Sequence, residues 1–262
     1  MAIYSVLQRF RSTAHFVRQD LVERYRNDFL GMAWLVIQPL ILIVLFSVVF
    51  SSLMRARLPG LDPTFGYTVY LITGILAWNA FAQTLSRLSG WYRDKAGLYR
   101  KLALGLYVPA FSVVVSEFLI YCVAMALFAV FLLLVGHPLS WQWLWLPLLI
   151  GLFMAFGFGL GLILGLLEVF IPDIRRAVPL VLQLGFWLTP IVYTLDILPS
   201  SVRQFVELSP VTLAMHQLHQ VVVFGEPPSL ADLLWLLAVA LLSLVLLRWL
   251  GQRLKKVLRD AL

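Results

Sequence analysis

Long apolar runs recur along this chain, and no other feature limits its fold as much. They occupy residues 32–53, 67–88, 108–135, 143–170, 177–198 and 230–250. A helix crosses the roughly 30 Å hydrocarbon layer of a bilayer with about 20 apolar residues. Lipid offers the backbone no hydrogen-bond partners, so a crossing segment must be a helix or belong to a closed barrel. These runs are continuous and do not alternate with polar residues, which selects helices. Composition agrees, at 61% hydrophobic and 13% charged residues, against about 45–50% and 25% in soluble domains. The expected fold is an all-α polytopic membrane protein with six transmembrane helices, one domain over residues 1–262.

The segments between the runs refine this expectation. Over residues 4–29, Phe10, Ala14, Val17, Leu21, Tyr25 and Phe29 recur at spacings of three and four, with Arg9, Arg11, Asp20 and Arg24 between them. That pattern predicts an N-terminal amphipathic helix lying at the membrane interface. A first run this long, without a small-residue cleavage site, does not read as a removable signal peptide. Pro39 lies within the first run and predicts a kink. Gly157, Gly161 and Gly165 in the fourth run give the small-xxx-small spacing of closely packed membrane helices. Residues 199–229 contain Pro199, Pro210, Pro227 and Pro228. They are too broken for a full crossing and predict a re-entrant extracytoplasmic hairpin between spans five and six. Trp141, Trp143 and Trp145 read as an interfacial anchor.

Basic residues set the orientation. Seventeen of the twenty Lys and Arg residues fall on one side: the N-terminal helix, the loop 89–107 with Arg87 at its edge, the turn holding Arg175 and Arg176, and the C-terminal tail. Only Arg55, Arg57 and Arg203 fall on the other. The richer side is cytoplasmic by the positive-inside rule, so both termini are expected there. The net charge of +7 then reflects attraction to anionic membrane lipids, with no nucleic-acid partner implied.

Chemistry-bearing motifs are sparse. No phosphate-loop motif for ATP is present, and no set of residues suggests a catalytic centre, a metal site or a bound cofactor. Cys122 lies alone in an apolar run, and His216 and His219 lack a third ligand nearby. Glu117, about ten residues into the third run, is the intramembrane charge to explain. A carboxylate at that depth is paired or functional, which leaves open a structural, a transport-coupling or a catalytic role. Glu168 is expected to pair with Arg175 or Arg176. Two short cytoplasmic connections, RDKAGLYRKLALGLYVP and IPDIRRAVP, suit docking on a soluble partner that pushes from the cytoplasm.

These segments resemble the membrane subunits of type-2 ABC exporters that move polysaccharides such as O-antigen, capsular polymer or teichoic acid. The likeness starts at Asp20-Leu21-Val22-Glu23-Arg24-Tyr25 and continues through Leu30-Gly31-Met32-Ala33-Trp34 to Gln38-Pro39-Leu40. It resumes at Gly97-Leu98-Tyr99-Arg100-Lys101 with Val108-Pro109. It is strongest at Pro172-Asp173-Ile174-Arg175-Arg176-Ala177-Val178-Pro179, Leu182-Gln183 and Thr189-Pro190-Ile191-Val192-Tyr193, with Leu208-Ser209-Pro210 beyond. Pro172, Glu168 and Ser209 depart from the usual family residues, which bears on the subfamily and the polymer.

The resemblance implies a permease subunit in a bacterial cytoplasmic (inner) membrane. Two copies would form the pore, and two copies of a separate cytoplasmic ATPase, which binds the ATP and Mg, would drive it. Gly97, Leu98, Tyr99, Arg100 and Lys101 then form the ATPase-coupling segment, with Asp173, Arg175, Arg176, Glu23 and Arg24 beside it. The cargo would be a lipid-linked polysaccharide, which needs a path that is wettable without gripping charge. Aromatic side chains meet that need, so Phe46, Phe50, Phe186, Trp187 and Tyr193 are the pore-lining candidates, with the hairpin as a lid. The alternatives are a proton-coupled secondary transporter, which would favour internal repeats and several buried charges, and an integral-membrane glycan-processing enzyme.

Overall fold

The computed structural model describes residues 2–53, 66–99, 107–136 and 138–261, and all regular structure among them is helical. In chain order the helices are α1 (Ala2–Tyr25), α2 (Trp34–Ser47), α3 (Gly66–Ser89), α4 (Trp91–Asp94), α5 (Ala96–Tyr99), α6 (Tyr107–Leu134), α7 (Leu146–Glu168), α8 (Ile174–Leu188), α9 (Ser200–Glu207), α10 (Pro210–His219) and α11 (Leu230–Ala261). A π-helical stretch, Val48–Leu53, prolongs α2, and another, Gln220–Phe224, prolongs α10.

Four helical stretches are long and apolar enough to cross a membrane: Gly31–Phe50, Pro109–Leu134, Trp141–Glu168 and Leu230–Leu254. The other two expected spans differ for physical reasons. α3 has 24 residues but carries Thr68, Thr73, Asn79, Gln83, Thr84 and Arg87 along its length. It is the axis of the bundle, with α2, α6, α7, α8 and α10 packed around it. Where its neighbours cover it, such a helix can hold polar groups that a lipid-facing helix cannot, as at Thr68, Thr73 and Thr84, while Asn79 and Gln83 stand on its open side. Thr73 and Thr84 satisfy their hydroxyls on the carbonyls of Val69 and Ala80, one turn back. α8 has only 15 residues, about 22 Å of helix. It stops at Leu188, ten residues short of the expected end, because Thr189 precedes Pro190 and takes an extended backbone.

Glycines let α7 approach its neighbours. A Cβ at Gly157 would lie 3.0 Å from the Phe81 ring, one at Gly161 2.9 Å from Leu88 Cβ, and one at Gly165 2.6 Å from the Leu88 carbonyl oxygen. These three face α3 at spacings of four. Gly159 faces the other way, against Ser243 of α11.

Two boundaries move from the sequence reading. α1 ends at Tyr25, and the chain turns through residues 26–30, so Phe29 leaves the expected apolar face and stands fully exposed. The turn closes at Gly31, whose φ of 51° is easy only for glycine. That accounts for the glycine ahead of Trp34. α11 continues to Ala261, past residue 250, so the basic tail prolongs the last helix.

Candidate functional site

α2, α3 and α8 converge on one open groove of about 400 Å³. Leu42 and Phe46 come from α2, Ile75, Trp78 and Asn79 from α3, and Leu182, Gln183, Phe186 and Trp187 from α8. The rings meet edge to face, with Trp78–Phe186 centroids 6.0 Å apart and Phe186–Trp187 centroids 5.4 Å apart. Phe46 continues the series to Phe50 at 5.8 Å, and Phe50 to Tyr67 at 5.1 Å. Four of the five aromatic candidates thus form two adjoining clusters. Trp187 is 62% exposed, on a face of α8 shared with the equally bare Leu180, Val181, Leu184 and Leu188.

Tyr193, the fifth, lies past the end of α8 and outside the groove lining. Its hydroxyl donates to the Leu188 carbonyl at 2.8 Å. There the chain is not helical, and its carbonyls need partners. Tyr67 donates its hydroxyl to the Val192 carbonyl at 2.8 Å. The Tyr70 hydroxyl is shared between the carbonyls of Pro190 and Tyr193, 3.0 Å from each. The Tyr70 ring stacks on His219 at 3.7 Å, and His219 Nε2 lies 3.0 Å from the Tyr70 carbonyl. This clamp holds the extended segment after α8 against α3. Tyr70→Phe leaves the buried carbonyl of Pro190 and the half-buried carbonyl of Tyr193 short of a donor. The expected loss is about 1–3 kcal/mol, read as a lowered unfolding midpoint of the purified protein, with Tyr193→Phe, whose bond is more exposed, losing less.

At the end of the bundle that gathers the arginines, Glu117 of α6 is 2% exposed and receives two guanidinium groups. Arg24 Nη1 of α1 lies 2.7 Å and Arg87 Nη1 of α3 2.8 Å from Glu117 Oε1. Arg87 also pairs closely with Asp20 of α1. The network ties α1, α3 and α6 together, and a cleft of about 590 Å³ opens beside it. Tyr25 packs below, and burial pushes its phenol above the usual range, so it stays neutral.

A second set of ion pairs joins α4 to the α7–α8 turn. Arg175 makes a two-point contact with Asp94, at 2.9 and 3.3 Å. Arg93 lies 3.6 Å from Glu168 and donates to the Val169 carbonyl at 3.0 Å. Glu168 therefore pairs with Arg93, in place of the expected Arg175 or Arg176. The turn 169–173 carries the start of α8 outward, and Arg175 reaches α4 instead.

The remaining predicted residues scatter around these pairs. Glu23 is exposed and accepts from Gln19 Nε2 at 2.7 Å. Asp173 precedes α8, exposed, and its carbonyl accepts from Arg176 and Ala177 N–H. Arg176 is exposed. Gly97 is exposed on α5, which also includes Leu98 and Tyr99, while Arg100 and Lys101 lie outside the described residues. Sequence reasoning missed the tyrosine clamp, Asp94 and the polar face of α3. The spacing of Asn79, Gln83 and Arg87, four apart on one helix, was the available signal.

The sequence profile of a family described as ABC-2 type transporter matches residues 12–223. The chain belongs to the ABC-2 type transporter family. Among curated relatives, an O-antigen export system permease protein RfbA of Klebsiella pneumoniae is 30% identical over 194 residues, covering 73% of this chain and 72% of that one. Another of the same name, from Myxococcus xanthus, is 26% identical over 233 residues, covering 88% and 86%. In this ABC-2 type transporter the profile spans both the aromatic groove and the ion pairs at the basic end. With four helices fit to cross a bilayer, it is a multi-pass membrane protein.

Proposed function

We propose that this ABC-2 type transporter is the permease subunit of an ATP-driven exporter of a lipid-linked polysaccharide, most closely O-antigen, across a bacterial cytoplasmic membrane. Two copies form the path, and two copies of a separate ATPase drive it. The observation that carries the reading is the groove of Phe46, Trp78, Phe186 and Trp187, which adds aromatic faces and two amides without a charged lining residue. A sugar chain cannot shed its water into hydrocarbon, where each unsatisfied polar group costs several kcal/mol. Rings with polar edges offer a surface it can slide along. The names of the O-antigen relatives support the cargo.

In this reading six segments cross the membrane. The sheathed α3 and the short α8 are the two that fall outside the length-and-apolarity rule, α1 lies at the cytoplasmic interface, and α9–α10 form the re-entrant hairpin. The bare face of α8 meets its symmetry mate across the path, two-fold pairing being the commonest closed arrangement. Both termini and the basic end face the cytoplasm. Work from the ATPase enters through α5 and the residues after it. It reaches α8 through the Asp94–Arg175 pair, so that α8 tilts and the groove widens. Glu117 is held by two arginines, which favours a structural part for it over proton coupling.

Deleting this chain from its native host tests the reading. Surface O-polysaccharide is expected to disappear while lipid-linked polymer accumulates inside, and the wild-type gene restores export. Undiminished surface polymer in the deletion strain would overturn it.

A further inference from the structure

Three hollows adjoin along the open side of α3, each sharing lining residues with the next. Gln83 and Arg24 line both the cleft at the basic end and a small cavity of about 160 Å³ between α2, α3 and α6. Asn79 and Leu42 line both that cavity and the aromatic groove. The hollows therefore follow one another from Arg87, past Gln83 and Asn79, to Gln183, Phe186 and Trp187. Asn79, Gln83 and Arg87 stand at intervals of four on α3, about 6 Å apart along its axis. Gln38 of α2 faces the middle cavity, and Gln183 of α8 faces Asn79 across the groove.

The state of these amides is informative. Gln38, Asn79, Gln83 and Gln183 are all exposed, and among the described residues none of their side chains has a hydrogen-bond partner. The buried Gln217 is different. It donates to Asp232 at 2.5 Å and accepts from Ser229 N–H at 3.0 Å. Gln217 is thus bonded at both ends, although the buried carbonyl oxygens of the Gln142 and Gln220 side chains have no partner among the described residues. Four bare amides on one connected surface of a membrane protein would each carry a heavy penalty against lipid. They are suited to a wet path that presents its own donors and acceptors.

Charge narrows what that partner is. The groove lining has no ionisable residue. In the middle cavity Arg24 and Glu117 neutralise each other. The cleft mixes Asp20 and Glu23 with Arg24, Arg87 and Lys95. Nothing along the described lining offers a run of free cations to a polyanion. We propose that Gln38, Asn79, Gln83 and Gln183 are the rungs of the transport path that bind sugar hydroxyls, and that its cargo is an uncharged, hydroxyl-rich polymer. Each amide offers two donors and an acceptor, matching hydroxyls that do both. The aromatic faces between rungs take the apolar side of the sugar ring, so neither grips hard enough to stall movement.

The inference rests on the exporter reading for its cargo, but its geometry can be tested apart from any polymer. With Cys122 replaced by alanine, single substitutions Asn79→Cys, Gln83→Cys, Gln183→Cys and, as a lipid-facing control, Leu242→Cys are made in the full chain with its ATPase, in open membrane fragments. A charged, membrane-impermeant thiol reagent should label the first three at least about tenfold faster than the control, since only a wet thiol ionises. Equal rates would overturn the wet path, whether or not the chain exports anything. For the cargo, Asn79→Leu with Gln183→Leu should cut surface polymer at least about tenfold by removing hydrogen-bonding sites, while Asn79→Ser with Gln183→Ser keeps most of it. Full export by the leucine pair would overturn the role of the rungs. Chemical analysis of the exported polymer should find neither phosphate nor carboxylate in its repeat, and a polyanionic repeat would overturn the substrate class. If the deletion strain still displays polymer, the exporter reading falls, and the labelling pattern stands or falls by itself.

Discussion

Glu117→Ala is expected to cost about 3–5 kcal/mol, the penalty for removing one partner of a buried ion pair and leaving the others uncompensated. Two guanidiniums, each 28% exposed, converge on a carboxylate that is 2% exposed. Each arginine keeps some solvent at the adjoining cleft, but the site that Glu117 vacates is itself buried. Arg87 retains Asp20, but Arg24 has no second acid among the described residues, so α1 should loosen from α6 and α3. Limited proteolysis of membranes would then cut within residues 13–30 faster than in the wild type, and the purified protein would unfold earlier. Glu117→Gln distinguishes this role from proton coupling. A structural counter-ion predicts that the isosteric amide also destabilises, because it cannot balance two cations. A proton-carrying role predicts normal stability with lost transport. The pair Glu117→Leu with Arg24→Leu removes charge and counter-charge together. It should recover most of the loss, since deleting a whole buried pair is often nearly neutral.

That outcome matters because the network joins elements the chain brings in from far apart: residue 24 with 117, and 87 with both 20 and 117. The same network ties α1 to α3, the helix that bears Asn79, Gln83 and the tyrosines of the clamp. A loosened α1 would leave the ATPase turning over without moving the path, so export should fall more than ATP hydrolysis. Comparison of the two rates in one preparation reads this directly.

Much of the architecture was legible where the physics is local. Apolar length alone marks the helices at 109–134 and 230–254, because each faces surroundings that reward apolar residues at most positions. The same logic misled at α8. The run 177–198 is mostly apolar, but Thr189-Pro190 breaks the helix, and tyrosines from α3 hold the broken part in place. No local pattern announces donors that lie about 120 residues away in sequence. Among the aromatic candidates, Phe46, Phe50, Phe186 and Trp187 fall in two adjoining ring clusters. Tyr193 went astray because its hydroxyl serves the backbone of its own segment. Glu168 went astray for the opposite reason. Arg175 and Arg176 are the nearest arginines in sequence, but the chain reverses through residues 169–173 and presents Arg93 instead.

The glycine stripe of α7, read from its spacing as a packing surface, leads to the second large effect. Gly165→Leu should prevent the protein from accumulating in membranes at all. A Cβ there would stand 2.6 Å from the carbonyl oxygen of Leu88 and 3.3 Å from the Tyr92 ring. The oxygen belongs to the backbone of α3 and cannot rotate away, so α7 must move out as a unit. Overpacking by a few methylenes costs about 1–3 kcal/mol when side chains can adjust, and here the obstacle is main chain. Displacing α7 would also disturb Phe81 and Trp91 on α3 and α4 and pull Glu168 from Arg93, so the damage extends to the link with α8. Gly165→Ala should give an intermediate loss. Gly151 supplies the control, since it lies in the same helix and a Cβ there meets nothing within 4 Å. Gly151→Leu should accumulate and unfold like the wild type. If residues 151 and 165 tolerated leucine equally well, α3 and α7 would not be in the close contact on which the position of the aromatic groove depends. Steady-state levels in membranes, followed by the unfolding midpoint of whatever survives extraction, would separate the two outcomes.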